Sequence, residues 1–175
     1  MSWLDRIRAE SRALRFLLRF AAYLAALAVA FELGQDPWAQ GYMRPLASIA
    51  AGALRALSLP AYLDTSELQL GSCELVLRDL AYRVTFDCTG VFALLVFAAL
   101  TGAYPATARQ RLEALLIGVP AIAVFSCLRL VVLGAVAYVE PEWIELFHVY
   151  VMELATLGFM LFVWKYWVNR VTHAG

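Results

Sequence analysis

At 175 residues the chain is long enough for one ordinary domain, but 63% of its residues are hydrophobic and only 16% are charged. An average soluble domain is roughly 45–50% apolar and about 25% charged, so a soluble core cannot absorb this much apolar surface. With a mean hydropathy of +0.71 and a formal net charge of zero, the chain reads as an integral membrane protein with no nucleic-acid partner.

Apolar runs of about 20 residues mark helices that cross a ~30 Å hydrocarbon core. The first expected span covers 14–33 and is rich in Ala and Leu. Residues 42–63 contain Arg44, Pro45, Arg55 and Pro60, with Leu46, Ile49, Ala50, Ala53, Leu54 and Leu57 at i, i+3, i+4 spacing. That stripe predicts an amphipathic helix lying in the outer interface rather than a crossing. Over 66–87 the period changes. Glu67-Leu68-Gln69-Leu70 alternates, Gly71-Ser72 offers a turn, Cys73 to Leu77 follows, then Arg78-Asp79, then Tyr82 to Phe86. This pattern predicts two or three short strands, a small external β element that delivers the chain into Cys88. Three further spans are expected over 88–104, 112–139 and 147–168, joined by short connectors. The expected fold is an all-α membrane bundle of about four transmembrane helices, one interfacial helix and the β element. It forms a single domain over 1–175.

Lysine and arginine near helix ends favour the cytoplasm. Arg6, Arg8 and Arg12 precede the first span and Arg15 stands at its start, Arg109 and Arg111 lie between the second and third, and Lys165 and Arg170 close the last. The segment from Glu140 to Glu145 has no positive charge. These residues predict a multi-pass protein of the cytoplasmic (inner) membrane with Cys88 and His148 at the outer face. Ala28-Val29-Ala30 resembles a signal-peptide cleavage site, but the long apolar run favours an anchor. Cys88 is outside under either reading.

Three side chains at helix mouths carry the chemistry. Cys88 opens an apolar helix, where exposed N–H groups and the helix dipole favour thiolate. Asp87 is placed to cap that helix, although its charge opposes thiolate formation. A buried cysteine acting as a small hydrophobe is the bland alternative. Arg129 interrupts the next apolar helix, and charges inside a span are costly and usually functional. It suits an oxyanion or carboxylate clamp, with Ser126 on the same face to position it. The alternative is a structural ion pair with Glu153. His148, at the start of the last span, suits general acid–base work beside a cysteine. Its alternative is an interfacial histidine near Trp143 and Tyr150. His173 lies in the tail.

Cys88-Thr89-Gly90 at a helix start, Arg129 alone in the next span and His148 opening the following one resemble the exosortase/archaeosortase family. The resemblance runs from about Leu68 to Val168 and includes the strands before the cysteine. It implies a membrane-embedded, sortase-like cysteine transpeptidase, with Cys88 as nucleophile, Arg129 as stabiliser and His148 as acid–base. The implied substrates are exported proteins with a C-terminal tripartite signal: a motif, an apolar helix and a basic tail. The product passes to an acceptor amine or hydroxyl, such as that of a glycolipid or polysaccharide, or to water. The chain is short for that family. Thr89 stands where many relatives have Ser, and Ser126 where many have Asn.

No metal or organic cofactor is expected, since the chain has no His-Glu-x-x-His, Gly-rich phosphate loop or Gly-x-Ser-x-Gly elbow. Two other functions fit four spans in a small chain. One is thiol–disulfide redox chemistry, in which Cys73 and Cys88 pair; against it, Cys73, Cys88 and Cys127 form no Cys-x-x-Cys. The other is a non-catalytic subunit of an envelope polysaccharide system, with Arg129 purely structural. Substituting Cys73 separates redox chemistry, which needs it, from transpeptidation, which does not.

Overall fold

The computed structural model describes residues 3–77 and 80–173, with side chains from residue 11 onward. Helix α1 spans Trp3–Leu33. A short helix α2 (Gln35–Trp38), a π-turn (Ala39–Met43) and α3 (Arg44–Ala56) continue as one helical run. Strands β1 (Ala61–Asp64), β2 (Ser72–Leu77) and β3 (Leu80–Thr85) form an antiparallel sheet in the order β1-β2-β3. Helices α4 (Val91–Ala103) and α5 (Ala108–Val139) follow. The short α6 (Ile144–Leu146), a π-turn (Phe147–Val151) and α7 (Met152–His173) complete the chain. The protein is a mostly helical membrane protein with one small sheet.

Among the described residues, three helical segments are long and apolar enough to cross a membrane: Ser11–Leu33, Ala108–Val139 and Pro141–His173. The run expected to cross over 88–104 is helical only from Val91 to Ala103. Thirteen residues at 1.5 Å each give about 20 Å, short of a full hydrocarbon core. The expected connector before 112 is also shorter than its sequence suggests. Thr107 caps α5 in a reciprocal box with Gln110, so Arg109 and Arg111 already belong to the first turns.

The segment expected as one helix over 42–63 divides. It ends at Ala56, where Ser58 takes a left-handed φ of 64° and Pro60 follows, and residues from Ala61 pair with β2. Its buried stripe is Met43, Leu46, Ala47, Ala50, Ala51 and Leu54, while Ile49 and Leu57 are exposed. The face is therefore rotated toward its alanines. Small side chains let α3 approach α5 closely, and a Cβ on Gly134 of α5 would press on Leu54.

The β element lies where the alternation put it, with two shifts. Leu68–Leu70 forms a 3₁₀ turn rather than a strand, and the first strand comes earlier, at Ala61. The hairpin turn expected at Arg78-Asp79 lies outside the described residues. In β2 and β3 the inward face is Cys73, Leu75, Leu77, Tyr82 and Val84, all buried against Leu54 of α3 and Leu130 and Leu133 of α5. A second core joins Phe97 of α4, Ile122 of α5 and Met160 and Trp167 of α7. Trp167 Nε1 donates to the Gln110 carbonyl at 3.0 Å and ties the end of α7 to the start of α5. The sheet is thus clamped over one end of the α4–α5–α7 bundle.

Candidate active site

The chain leaves β3 at Thr85, makes a 3₁₀ turn over Phe86–Thr89 and enters α4 through Gly90. Thr89 Oγ1 donates to the Phe86 carbonyl at 2.7 Å, closing the turn. Tyr42 Oη donates to the Thr89 carbonyl at 3.0 Å, pinning the turn from the π-turn before α3. Cys88 therefore sits one turn ahead of α4, not at its first residue as the apolar run suggests. Asp87 does not cap the helix; Gly90 occupies that position without a side-chain bond.

Gly90 has φ 71°, and a Cβ there would run into the Ser126 hydroxyl on α5. The Cys-x-Gly pattern thus has a local cause: the third residue must be left-handed and must lie flat against α5. Gly90→Ala is expected to lower the melting temperature of the detergent-purified protein, with the left-handed φ alone costing about 1–2 kcal/mol. Adding Ser126→Gly should recover the steric part only. An unchanged melting temperature in Gly90→Ala contradicts this geometry.

The turn aims Cys88 at two partners. Its Sγ lies 3.7 Å from His148 Nε2 and 3.4 Å from Tyr82 Oη, with Thr85 Oγ1 at 3.7 Å. Tyr82 Oη also lies 3.3 Å from His148 Nδ1, and the two rings meet edge to face at 6.0 Å. Cys88, Tyr82 and His148 therefore form a closed triangle of hydrogen-bonding groups. Burial pushes the Cys88 thiol up, but hydrogen bonds from His148, Tyr82 and the Thr85 backbone outweigh it and bring the thiol down to about 7. Hydrogen bonding, rather than the helix N-terminus expected from sequence, favours the thiolate. Burial and the adjacent Cys88 hold the Tyr82 hydroxyl well above its ordinary value, so it stays a neutral donor.

Arg129 is 1% exposed on α5. One terminal nitrogen donates to Glu153 Oε1 at 2.6 Å and the other to Thr156 Oγ1 at 3.3 Å, both on α7. Its Nε is buried with no partner among the described residues. The ion pair weighed as an alternative is present. Ser126 does not hold the guanidinium: its hydroxyl donates to the Ile122 carbonyl at 2.8 Å. Arg129 and His148 line one cavity of about 470 Å³, together with Asp87, Gly90, Glu153 and Met160. Cys88 is 1% exposed and meets this cavity through His148 and its own chain neighbours.

Sequence reasoning singled out Cys88, Arg129 and His148 as candidates and did not single out Tyr82, which the structure places beside Cys88 and His148. A tyrosine buried in a strand needs a partner for its hydroxyl, and that was the available signal. Strand periodicity alone does not say which face of β3 meets His148. His148 stands on a π-turn (Phe147–Val151), a wider helical turn often found at functional sites.

Residues 8–164 match the family model for transmembrane exosortases. No curated protein matches the chain, and no solved structure matches it.

Proposed function

The chain belongs to the transmembrane exosortase family, and we propose that it is a membrane-embedded cysteine transpeptidase acting at the outer face of the cytoplasmic membrane. Its substrates are exported proteins bearing a C-terminal tripartite sorting signal, which it cleaves and transfers to an envelope acceptor. The observation that carries this reading is the Cys88–His148–Tyr82 triangle beside a cavity lined by Arg129.

In this mechanism the Cys88 thiolate attacks the scissile carbonyl at the signal motif, forming a C–S bond. The oxyanion is met by Arg129, whose buried Nε–H has no partner among the described residues and whose other nitrogens are held by Glu153 and Thr156. His148 Nε2, already beside Sγ, gives its proton to the departing amine as the C–N bond breaks. Tyr82 at Nδ1 fixes the ring while its hydroxyl stabilises the thiolate. An acceptor amine or hydroxyl, or water, then attacks the thioester; its proton goes to His148 and Cys88 leaves as thiolate. The test is C-terminal processing of exported proteins in cells carrying wild type or Cys88→Ala at matched expression. Unchanged processing of every such protein sinks the proposal.

The redox reading has less support. Cys73 and Cys88 are free thiols. Cys73 is fully buried inside the sheet, and burial with the nearby Cys88 charge pushes its thiol up to about 11, away from reactivity.

The thiolate itself can be titrated. The folded Cys88 thiol lies below its ordinary value of 9.0, at about 7. The stabilisation this provides is fully present above pH 9 and is lost as pH falls through 7. Alkylation of Cys88 by iodoacetamide, followed by mass spectrometry, should therefore reach half its maximal rate near pH 7 in native protein and near 9 in denatured protein. Tyr82→Phe removes a hydrogen bond to a charged group and should move the native midpoint up by about one pH unit. A midpoint that ignores the substitution contradicts the role given to Tyr82.

A further inference from the structure

A second cavity lies at the other end of α4, about 20 Å of helix away from Gly90. Its volume is about 430 Å³, and Arg12, Arg15 and Arg19 of α1 line it with Phe16, Tyr104 and Trp164. We infer that this cavity binds the headgroup phosphate of an anionic phospholipid. The inference does not rest on the reaction proposed for Cys88.

The three arginines follow i, i+3 and i+7 spacing, so they share one face of α1. No carboxylate lines the cavity, and among the described residues none of the three makes an ion pair. Arg15 Nε donates to the Ser11 carbonyl. Like charges on adjacent turns repel, and a shared anion relieves that repulsion. Trp164 is the independent observation. It lines the cavity, Tyr104 meets its ring edge-on at 6.0 Å, and its indole Nε1–H is buried without an acceptor among the described residues. A buried donor of this kind needs an oxygen.

Guanidinium forks match phosphate oxygens, and a phosphate accepts from several donors at once. The lipid source follows from the surroundings. The cavity lies between helices α1 and α7, both long and apolar enough to cross a membrane, with Phe16 and Ala103 in its wall. Leu14, Leu17 and Leu18 are exposed on α1 beside the arginines, where acyl chains would lie. Basic pockets between such helices select anionic headgroups.

The test uses the full chain purified in neutral detergent. Adducts with dioleoyl phosphatidylglycerol and dioleoyl phosphatidylcholine are measured by native mass spectrometry, with inorganic phosphate as competitor. Phosphatidylglycerol should bind at least about tenfold more tightly than phosphatidylcholine. The triple variant R12Q/R15Q/R19Q should weaken phosphatidylglycerol about a hundredfold, and R12K/R15K/R19K should retain most of the binding. Trp164→Phe, which leaves every charge in place, should weaken it about tenfold. Equal affinity for the two lipids overturns the site, as does wild-type binding by the glutamine variant. Displacement by millimolar phosphate overturns the lipid assignment in favour of a soluble phosphate. If the glutamine variant fails to fold, Trp164→Phe decides, and wild-type affinity there overturns the site.

Discussion

Cys88→Ala is expected to abolish C-terminal processing, with the longer precursor of each substrate accumulating. Groups that act as a catalytic unit lose most of their effect together, so the loss should be on the order of 10⁴-fold or more. Folding is not the cause under this proposal. Removing one buried sulfur leaves a small void worth about 1 kcal/mol, and expression should stay near wild type. Cys88→Ser keeps the shape but not the acidity. It should fail almost as completely, because His148 and Tyr82 at 3.7 and 3.4 Å from Sγ stabilise a thiolate, not a hydroxyl. Cys73→Ala is the control, with processing expected within about twofold of wild type, since a buried cysteine that no step of the reaction uses acts as a small hydrophobe. Equal loss in Cys73→Ala and Cys88→Ala would instead favour redox chemistry.

The second large effect concerns Arg129, where stability and activity should separate. The guanidinium is 1% exposed and its Glu153 partner 51% exposed. Glu153→Gln strands a buried cation and should cost about 3 kcal/mol of stability. Arg129→Gln leaves a carboxylate that still reaches solvent and should cost only about 1 kcal/mol. The order reverses for processing. Losing an oxyanion donor is expected to reduce the rate by about 10²–10³-fold in Arg129→Gln. Melting temperature and processing rate, measured on both variants, decide between the roles. Processing losses that merely follow melting temperature would make Arg129 a structural residue and leave the oxyanion without its proposed donor.

Much of the site was legible because its chemistry is costly in a membrane. A cation inside an apolar helix is conspicuous at Arg129, and so is an imidazole opening the next helix at His148. The Cys-x-Gly pattern pointed to a helix start, and Gly90 is the residue before the first turn of α4. What the pattern did not carry was the 3₁₀ turn before it, because hydropathy reads composition and not backbone sign. Tyr82 was illegible for a related reason. Strand alternation specifies that Tyr82 and Val84 share a face, but only the packing of β3 against α5 and the π-turn that carries His148 makes that face the wall of the site.

The 42–63 segment marks the same boundary between levels. Its i, i+3, i+4 repeat correctly indicated a helix with one buried face over Arg44–Ala56. It misjudged which face, since Ala47 and Ala51 became buried by approach to α5 while Ile49 was left exposed. Ala61 to Asp64 became a strand only because β2 offered a hydrogen-bonding edge.

By itself the sequence determined the membrane class, the apolar helices, the β element and the identity of three candidate site residues. These are set by local composition and by the cost of placing charge in lipid, which every residue carries with it. Tertiary structure alone decided that Cys88 meets His148 and Tyr82, that Arg129 is held by Glu153 and Thr156, and that Arg129 and His148 face one cavity. Apart from Cys88–Tyr82, six positions apart, these pairings join residues 24 to 60 positions apart. Their distances depend on how whole helices pack, a long-range property that no local pattern encodes.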